Sequence, residues 1–520
     1  MEDISRGVRS FTVGTAISRV MGLVREMVFA HLFGASQAPA ADAFNVAFRI
    51  PNMLRDLFAE TSLSAAFIPV LTAERAKGKE YQNRLASNIF NVLFLVTGVI
   101  SIAGLLLSPV LAKWIAFGFG KVPGKIELTA QLTGILFPFL LFISLGAWAM
   151  SYLNTERSFF LPSVAPALFN VFSILVPVLT YGWYVARGKE PIFGMAIGVL
   201  VGGLMQFLIQ MPLIFRKGYR YSLFLSFRDP EFRRVMALFI PVAIGLAGPR
   251  INVLVNTILV TPLKQGSVSW LNYAYRLMQL PLGLFGVAVG TVTLQSLSRL
   301  VVVKDTEAVR ARLFDSMKMA LFLTVPTSIL IAFLSQPLTR VIYQRGHFRP
   351  EDTLPTALAV ILYTLGIPFI ACIRNVAAVF YAYKDARWPM LSSLASVCLT
   401  ITLNVSLIHV LGFMIFPLST SLAEALNLML LLRMVPKKIG RIETGPLVRY
   451  GLTLILAGLC GGASAWAVNS LLTARLGTGL LISLASVVVS GGIGLVVFYI
   501  ASRVLGIRET RDFVKRFLRR

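Results

Sequence analysis

Long apolar segments separated by short polar interruptions make up most of the chain. Fourteen of them contain about 20 or more residues, enough for a helix to cross a hydrocarbon core of about 30 Å. Strand-like alternation of apolar and polar positions is absent, which excludes a transmembrane β-barrel. The pattern predicts an all-α polytopic membrane protein with about fourteen transmembrane helices. The predicted spans are residues 8–33, 41–70, 86–116, 128–153, 161–186, 192–216, 232–261, 269–298, 313–336, 356–381, 388–410, 413–434, 448–470 and 479–504.

The overall composition agrees with this pattern. Hydrophobic residues form 56% of the 520 residues and charged residues only 14%, whereas a soluble domain carries roughly 25% charged residues. A soluble protein of this size is therefore excluded. The formal net charge is nevertheless +26, a value that in a soluble protein would indicate a nucleic-acid partner. The meaning of this charge depends on where along the chain it lies.

The basic residues are distributed unevenly between the two sides of the membrane. An even number of spans places both termini on one side. Of the 49 lysines and arginines, 31 lie in segments on that side and 10 in segments on the other. Because basic residues accumulate in cytoplasmic segments, both termini are predicted to be cytoplasmic. We interpret the basic C-terminal tail as a contact to anionic membrane lipids, with no nucleic acid as partner.

An internal repeat relates two parts of the chain. Residues 47–59 align with residues 274–286 at an offset of 227, and the same offset pairs Arg157 with Lys384. Two matches at one offset predict two six-helix lobes in parallel orientation, an architecture known from transporters. The predicted division is an N-terminal lobe at 1–220 (helices 1–6), a C-terminal lobe at 221–440 (helices 7–12), and helices 13 and 14 with a basic cytoplasmic tail at 441–520.

Eight basic residues lie inside the predicted spans. A charged side chain facing lipid would cost about 3 kcal/mol or more, so these residues are expected to face the protein interior or a water-filled cavity. Arginines exceed acids there, and a guanidinium group matches phosphate oxygens with two parallel hydrogen bonds. The pattern predicts an anionic ligand, best a phosphate or pyrophosphate. The eight residues are Arg19, Arg25, Arg49, Arg55, Arg250, Arg276, Lys318 and Arg374.

Helical spacing suggests how the charges of the first two spans are arranged. Asp42, Arg49 and Asp56 are seven residues apart, which places them on one face of a continuous helix. The other two arginines near them, Arg25 and Arg55, have no acid in register on that face. An alternative interpretation is that the acids form internal ion pairs that hold the first two helices together. The acids for which this alternative stays open are Asp42, Asp56 and Glu60.

Neither a metal site nor a catalytic constellation is expected. The three cysteines lie in apolar runs without metal-like spacing, and the three histidines are scattered. The longest predicted outer loop, around His347, has no arrangement suited to acid–base chemistry. Glu424, the deep acid of the second half, stays open as an ion or proton site. No cofactor is predicted, and a transporter is favoured over an enzyme.

Several motifs together resemble one known family. Residues 18–26, SRVMGLVRE, resemble the S-R-x-x-G-x-x-R-[DE] signature of the MurJ (MviN) family of lipid II flippases, in the multidrug/oligosaccharidyl-lipid/polysaccharide exporter superfamily. Thr61 stands where this family usually has glycine, and Tyr275 where an acid often precedes an arginine. The other matching segments are 42–44 (DAF), 48–52 (FRIPN), 58–60 (FAE), 64–69 (SAAFIP), 266–270 (GSVSW) and 273–277 (YAYRL).

The resemblance implies a fold and a function. It implies two lobes around a cationic cavity and movement of lipid II, an undecaprenyl-pyrophosphate glycopeptide, from the inner to the outer leaflet for peptidoglycan synthesis. It implies no cofactor, and other cell-wall synthesis proteins as further candidate partners. Helices 13 and 14 would form a groove for the polyprenyl tail. By position, the resemblance makes Arg19, Arg25, Arg55 and Arg276 essential cavity arginines, and Asp42, Arg49, Glu60 and Ser269 further sensitive sites.

Other functions remain as alternatives. A carrier of a different polyprenyl-pyrophosphate oligosaccharide would use the same pyrophosphate group. A drug antiporter is expected to have acidic rather than arginine-rich interior faces. A membrane glycosyltransferase would need acid–base residues in a sizeable outer loop, which the sequence lacks.

Overall fold

The computed structural model describes residues 2–58, 61–283, 287–441, 443–507 and 509–510. Within these ranges almost all regular structure is α-helical, with two short 3₁₀ helices at Phe117–Lys121 and Gly412–Met414. The prediction of an all-α polytopic protein is thereby confirmed. The α-helices are α1 Glu2–Phe33, α2 Ala40–Ala47, α3 Arg49–Phe58, α4 Thr61–Lys77, α5 Lys79–Leu106, α6 Ser108–Ile115, α7 Lys125–Leu136, α8 Phe139–Thr155, α9 Phe160–Ala186, α10 Ile192–Leu208, α11 Met211–Arg216, α12 Pro230–Val260, α13 Ser267–Pro281, α14 Val287–Val302, α15 Thr306–Phe333, α16 Ser335–Tyr343, α17 Pro350–Thr364, α18 Ile367–Ala382, α19 Arg387–Leu411, α20 Ile415–Met434, α21 Pro436–Ile439, α22 Thr444–Leu476 and α23 Leu480–Val504.

All fourteen predicted spans fall on these helices. Among the described residues, nine helical segments are long and apolar enough to cross a membrane. One of them, Arg387–Ile439, contains two predicted spans, and α12 adds a further span that is bent by 45° between Ile244 and Ala247. The three remaining predicted spans are different in kind. The first is α1, which carries several charges. The second, at 41–70, is interrupted at Phe48, and the third, at 269–298, includes residues 284–286, which lie outside the described residues.

A proline explains the interruption of the predicted span at 41–70. α2 ends at Ala47 and α3 begins at Arg49, so Pro51 lies in the first turn of α3. Proline has no N–H to donate to the carbonyl of Ala47, and its ring crowds that carbonyl. Phe48 keeps right-handed helical backbone, at φ −75° and ψ −12°, so the helix is interrupted for one residue only.

One feature of the backbone agrees with the internal repeat. Arg157 and Lys384, which the offset of 227 pairs, are both non-glycine residues with left-handed backbone, at φ 57° and 56°. This conformation is uncommon for residues with a side chain. The same local turn is therefore built twice.

The chain forms two compact units whose limits differ from the predicted lobes. Unit 1 comprises the chain up to Ser269 together with Gly346–Phe348, and unit 2 comprises Trp270–Arg345 and the chain from Arg349 onward. The predicted lobe boundary at 220/221 and the separate segment at 441–520 stay predictions about the repeat. The contacts described next show why residues after 220 pack with unit 1.

The segment between α11 and α12 is held on α5 by asparagine side chains. Asn88 exchanges hydrogen bonds with the backbone of Ser226, at 2.9 Å and 2.8 Å. Asn91 donates to the carbonyl oxygen of Phe224 at 2.9 Å. Further along, the rings of Phe58 in α3 and Phe239 in α12 stack at 6.3 Å. The chain beyond residue 220 thus remains bound to the first helices.

In unit 2, α22 and α23 pack closely through glycines. A Cβ on Gly461 would lie 2.6 Å from the carbonyl oxygen of Gly494, so any larger residue would force the two helices apart. A Cβ on Gly458 would lie 2.7 Å from the side chain of Ile329 in α15. α22 therefore packs closely on both α23 and α15 within unit 2.

A buried carboxylate organises one end of unit 1. Glu156, just after α8, is 9% exposed. It accepts hydrogen bonds from Lys79 Nζ and Gln82 Nε2, both at 2.8 Å, and pairs with Arg75 at 3.2 Å. Burial by itself raises the pKa of Glu156, but the hydrogen bonds from Lys79 and Gln82 and the nearby positive charges outweigh it, so that its pKa is lowered.

The Glu156→Gln variant is expected to lower the free energy of unfolding by about 1–2 kcal/mol, a discounted value because Lys79 and Arg75 are partly exposed. Since the folded-state pKa is lowered, this stabilisation is present above the unfolded-state pKa of about 4.3 and is lost as the pH falls through the folded-state value. Unfolding of purified protein at pH 7 and at pH 4 measures both effects. The control is Glu80→Gln, an exposed position on α5; equal unfolding of the two variants at pH 7 would contradict the assignment.

Candidate functional site

Asp42 lies at the start of α2 and is 1% exposed. Its Oδ2 accepts from Lys125 Nζ at 3.0 Å and from the backbone N–H of Gly266 at 2.8 Å. Its Oδ1 accepts from Ser269 through the backbone N–H at 3.0 Å and the hydroxyl at 2.7 Å. Four donors thus satisfy the carboxylate, two of them backbone groups at the N-terminus of α13, where a negative charge is favoured.

Lys125 is the residue that sequence reasoning missed. It lies between two predicted spans, among the charges of the outer segments, yet its side chain is 2% exposed and its Nζ also lies 4.0 Å from the ring centroid of Phe119. Asp42 pairs with Lys125, a partner outside the stripe of Asp42, Arg49 and Asp56. One argument could have predicted a partner for Asp42: a carboxylate buried within the protein requires a nearby cation.

The second acidic centre joins two arginines of unit 1. Arg55 donates from Nε and Nη2 to Asp56 Oδ1, at 3.1 Å and 2.8 Å. Arg250 Nη1 lies 2.8 Å from Asp56 Oδ2. The side chain of Asp56 is 4% exposed, that of Arg55 22% and that of Arg250 43%. Arg55, which has no acid in register by helical spacing, thus pairs with its neighbour in sequence.

Arg25 repeats this arrangement on α1. Its Nη2 donates to Glu26 Oε1 at 2.7 Å, and its Cζ lies 5.4 Å from the ring centroid of Phe169 in α9. α1 and α9 approach closely, since a Cβ on Gly14 would lie 2.1 Å from Ser163 Oγ. Arg25 and Arg55 thus each pair with the carboxylate that follows them in sequence.

Four predicted residues of this group remain, and three of them lie in the described structure. Arg19 on α1 is exposed and Arg49 at the start of α3 is half-buried. An exposed arginine on a spanning helix would face lipid at high cost, so the surface that carries Arg19 must be polar or hydrated. Glu60 lies outside the described residues. Ser269 is fully buried and donates hydrogen bonds to Asp42. In this conformation it is therefore a structural hydrogen-bond donor.

Unit 2 contributes its own arginines. Arg276 on α13 and Arg374 on α18 are exposed, and the same cost of facing lipid applies to both. Lys318 Nζ lies 3.9 Å from Glu509 near the end of the described chain. Glu424 on α20 is half-buried and accepts from Asn427 at 3.4 Å. Among the residues that the structure describes, no group of three or more His, Cys, Asp or Glu could hold a metal ion.

Comparison with solved structures defines the class of protein. The chain is similar to a structure described as "Lipid II flippase MurJ, inward closed conformation", with a TM-score of 0.78 and 27% identity over 97% of this chain and 99% of that chain. It shares its fold with an inward-facing multidrug resistance MATE family transporter of the MOP superfamily, with a TM-score of 0.69 and 12% identity over 83% of this chain and 98% of that one. The helical fold is one that multi-pass membrane transporters share.

Comparison of sequences narrows the class to one family. The family description "Lipid II flippase MurJ" matches residues 29–487. A probable lipid II flippase MurJ of Vibrio cholerae is 34% identical over 88% of both chains. The lipid II flippase MurJ of Burkholderia cenocepacia is 34% identical over 86% of this chain and 87% of its own. The chain belongs to the MurJ family of lipid II flippases and is a multi-pass protein of the bacterial inner membrane.

Proposed function

We propose that this protein moves lipid II, the undecaprenyl-pyrophosphate-linked peptidoglycan precursor, from the inner to the outer leaflet of the cytoplasmic membrane by alternating access. The observation that carries the proposal is the set of arginines in the predicted membrane spans of a chain of this family. Guanidinium groups on such helices suit a phosphate-bearing substrate, because two N–H groups match two phosphate oxygens. The basic residues concentrated on one side support an orientation with both termini in the cytoplasm.

Arg19, Arg25, Arg55 and Arg276 are the proposed ligands of the pyrophosphate. Arg25 and Arg55 each donate to an adjacent carboxylate, at 2.7 Å and 2.8 Å. These carboxylates keep the guanidinium groups neutralised and oriented while no substrate is bound. A pyrophosphate carries more negative charge than a single carboxylate and can take over the same donors. Binding would then cost less than ordering two free arginines would.

The other predicted residues take supporting roles. Asp42, with Ser269 and the backbone of Gly266, fixes the start of α13, the helix that carries Arg276 further along. Arg49 begins α3, the helix that carries Arg55. We propose that Asp42 and Arg49 shape the cavity and its gating. Glu60 keeps its proposed role as a sensitive position of the same motif.

Transport of a defined substrate tests the proposal. Purified protein in liposomes is given lipid II, an undecaprenyl-pyrophosphate carrying a different glycan, or undecaprenyl monophosphate carrying a sugar. The expected result is movement of lipid II that is at least about tenfold faster than that of the monophosphate, the ratio produced by about 1.4 kcal/mol of differential binding. Faster movement of the other pyrophosphate glycan than of lipid II would identify a different carrier. Equal rates for all three lipids would contradict pyrophosphate recognition.

Alternating access requires that the substrate bias two conformations of the transporter. A ligand shifts such an equilibrium only by its difference in affinity between the two states. The proposed displacement of carboxylates by pyrophosphate supplies such a difference if one state alone presents the arginines to the substrate. A catalytic role would instead require acid–base residues at the reacting bond. We therefore propose that the protein is a transporter and not an enzyme.

A further inference from the structure

Unit 2 contains a cavity of about 510 Å³ that is separate from every arginine discussed above. It lies where the C-terminal ends of α15 and α22 meet α16 and the first turns of α17. The charge distribution assigns this end of the helices to the outer side of the membrane. The polar lining includes Ser335, Gln336, Arg340, Asn469, Ser470 and Thr473.

Arg340 supplies a cation to this cavity. Its side chain is half-buried in the cavity lining, on α16. In the described part of the chain, neither a carboxylate nor a hydrogen-bond acceptor contacts its guanidinium group. A partly buried guanidinium is costly to leave without an anion, so the site favours a negatively charged ligand.

Asn469 supplies a second, independent indication. It lies on α22 with 8% exposure and lines the same cavity. Its side-chain oxygen Oδ1 is buried and has no hydrogen-bond partner in the described structure. Buried amide oxygens are nearly always paired, and one left unpaired costs free energy. The cavity therefore favours a ligand that also carries a hydrogen-bond donor.

The remaining walls of the cavity are apolar and partly exposed. Leu354, Leu358 and Ile361 lie four and three residues apart on one side of α17, where they form a continuous apolar strip. Trp466 on α22 is 56% exposed and borders the same space. Tryptophan is enriched at the boundary between lipid chains and headgroups. The strip is suited to an acyl chain that continues from a bound headgroup.

We propose that this cavity is a binding site for an anionic phospholipid headgroup that bears hydroxyl donors, as phosphatidylglycerol does. The phosphodiester accepts from Arg340, a glycerol hydroxyl donates to Asn469 Oδ1, and an acyl chain lies on the apolar strip of α17. Phosphatidylcholine has a phosphodiester but no donor for Asn469. Free phosphate has the anion but no chain for the strip. The three parts of the cavity thus select one class of lipid.

Native mass spectrometry of the full-length protein tests this site. Protein in detergent is supplied with phosphatidylglycerol, phosphatidylcholine or inorganic phosphate, and retained ligand is counted. The wild type is expected to retain phosphatidylglycerol in preference to phosphatidylcholine, and phosphate should not displace it. Arg340→Gln should weaken retention about tenfold, as expected for loss of a hydrogen bond between charged groups. Asn469→Asp, which adds a negative charge of the same size, should weaken it as well.

The control is Arg475→Gln, which removes an exposed arginine at the end of the same helix as Asn469 but outside the cavity lining. It changes the net charge as much as Arg340→Gln does and should leave retention unchanged. Equal retention by wild type and Arg340→Gln would overturn the proposal. Equal retention of both lipids, or displacement by phosphate, would also overturn it. The variants are compared only if their unfolding temperatures without added lipid equal that of the wild type. If Arg340→Gln fails this condition, Arg340→Lys replaces it, and it should also weaken retention because lysine lacks the planar guanidinium fork.

Discussion

Arg55→Ala is expected to abolish growth of a strain that depends on this protein, while leaving the protein folded. Arg55 donates twice to Asp56, but Arg250 also lies 2.8 Å from that carboxylate. The carboxylate therefore keeps a cation when Arg55 is removed. We expect the unfolding temperature to fall by less than about 3 °C, the shift that a loss of about 1 kcal/mol produces. Transport of lipid II in liposomes should fall by about a hundredfold or more, since two charged hydrogen bonds to the substrate are lost.

The same loss of transport is expected for alanine at each other proposed pyrophosphate ligand. Lysine at these positions should restore part of the activity, because it keeps the charge but loses the planar fork. The control is Arg220→Ala, which removes an exposed arginine between α11 and α12. Normal growth at full expression for all four alanine variants would refute the site assignment. The remaining three positions to be tested are Arg19, Arg25 and Arg276.

Lys125→Met is expected to destabilise the protein strongly. Its Nζ is the cation for the buried carboxylate of Asp42, and both side chains are 2% exposed. Removing one partner of such a pair leaves a buried charge without compensation, at a cost of about 3–5 kcal/mol. Methionine fills a similar volume, so the change tests charge rather than packing. Unfolding of purified protein by a denaturing detergent measures the loss.

A double variant separates this explanation from a simple packing defect. Asp42→Asn combined with Lys125→Met removes both charges, and the amide oxygen can still accept both hydrogen bonds from Ser269, while the N–H of Gly266 loses its acceptor. Part of the lost stability should therefore return, as replacing both partners of a buried pair often costs little. Lys121→Met, at an exposed lysine four residues earlier, should have no effect. A Lys125→Met protein as stable as the wild type would contradict the ion pair, as would a double variant no more stable than Lys125→Met alone.

The candidate site shows where sequence reasoning ended. The cost of a charge in lipid was enough to select the arginines of the spans, because that cost does not depend on the fold. The partners of those arginines could not be assigned from seven-residue spacing. That spacing assumes a continuous helix, and the helix is interrupted at Phe48. In the structure, Arg25 and Arg55 each pair with the acid that follows them in sequence. Asp42 pairs with Lys125, which is 83 residues away.

The sequence alone determined the membrane class, the helical fold, the internal repeat and the family. These follow from properties that are local or that recur along the chain: the length of apolar runs, the sign of flanking charges, and motifs at fixed spacing. Tertiary structure decided which charges neutralise one another, that Lys125 is buried, and that Arg340 and Asn469 line one cavity. These arrangements depend on side chains far apart in sequence being brought together, for an ion pair to within about 3 Å, the hydrogen-bonding range. No local pattern encodes that distance.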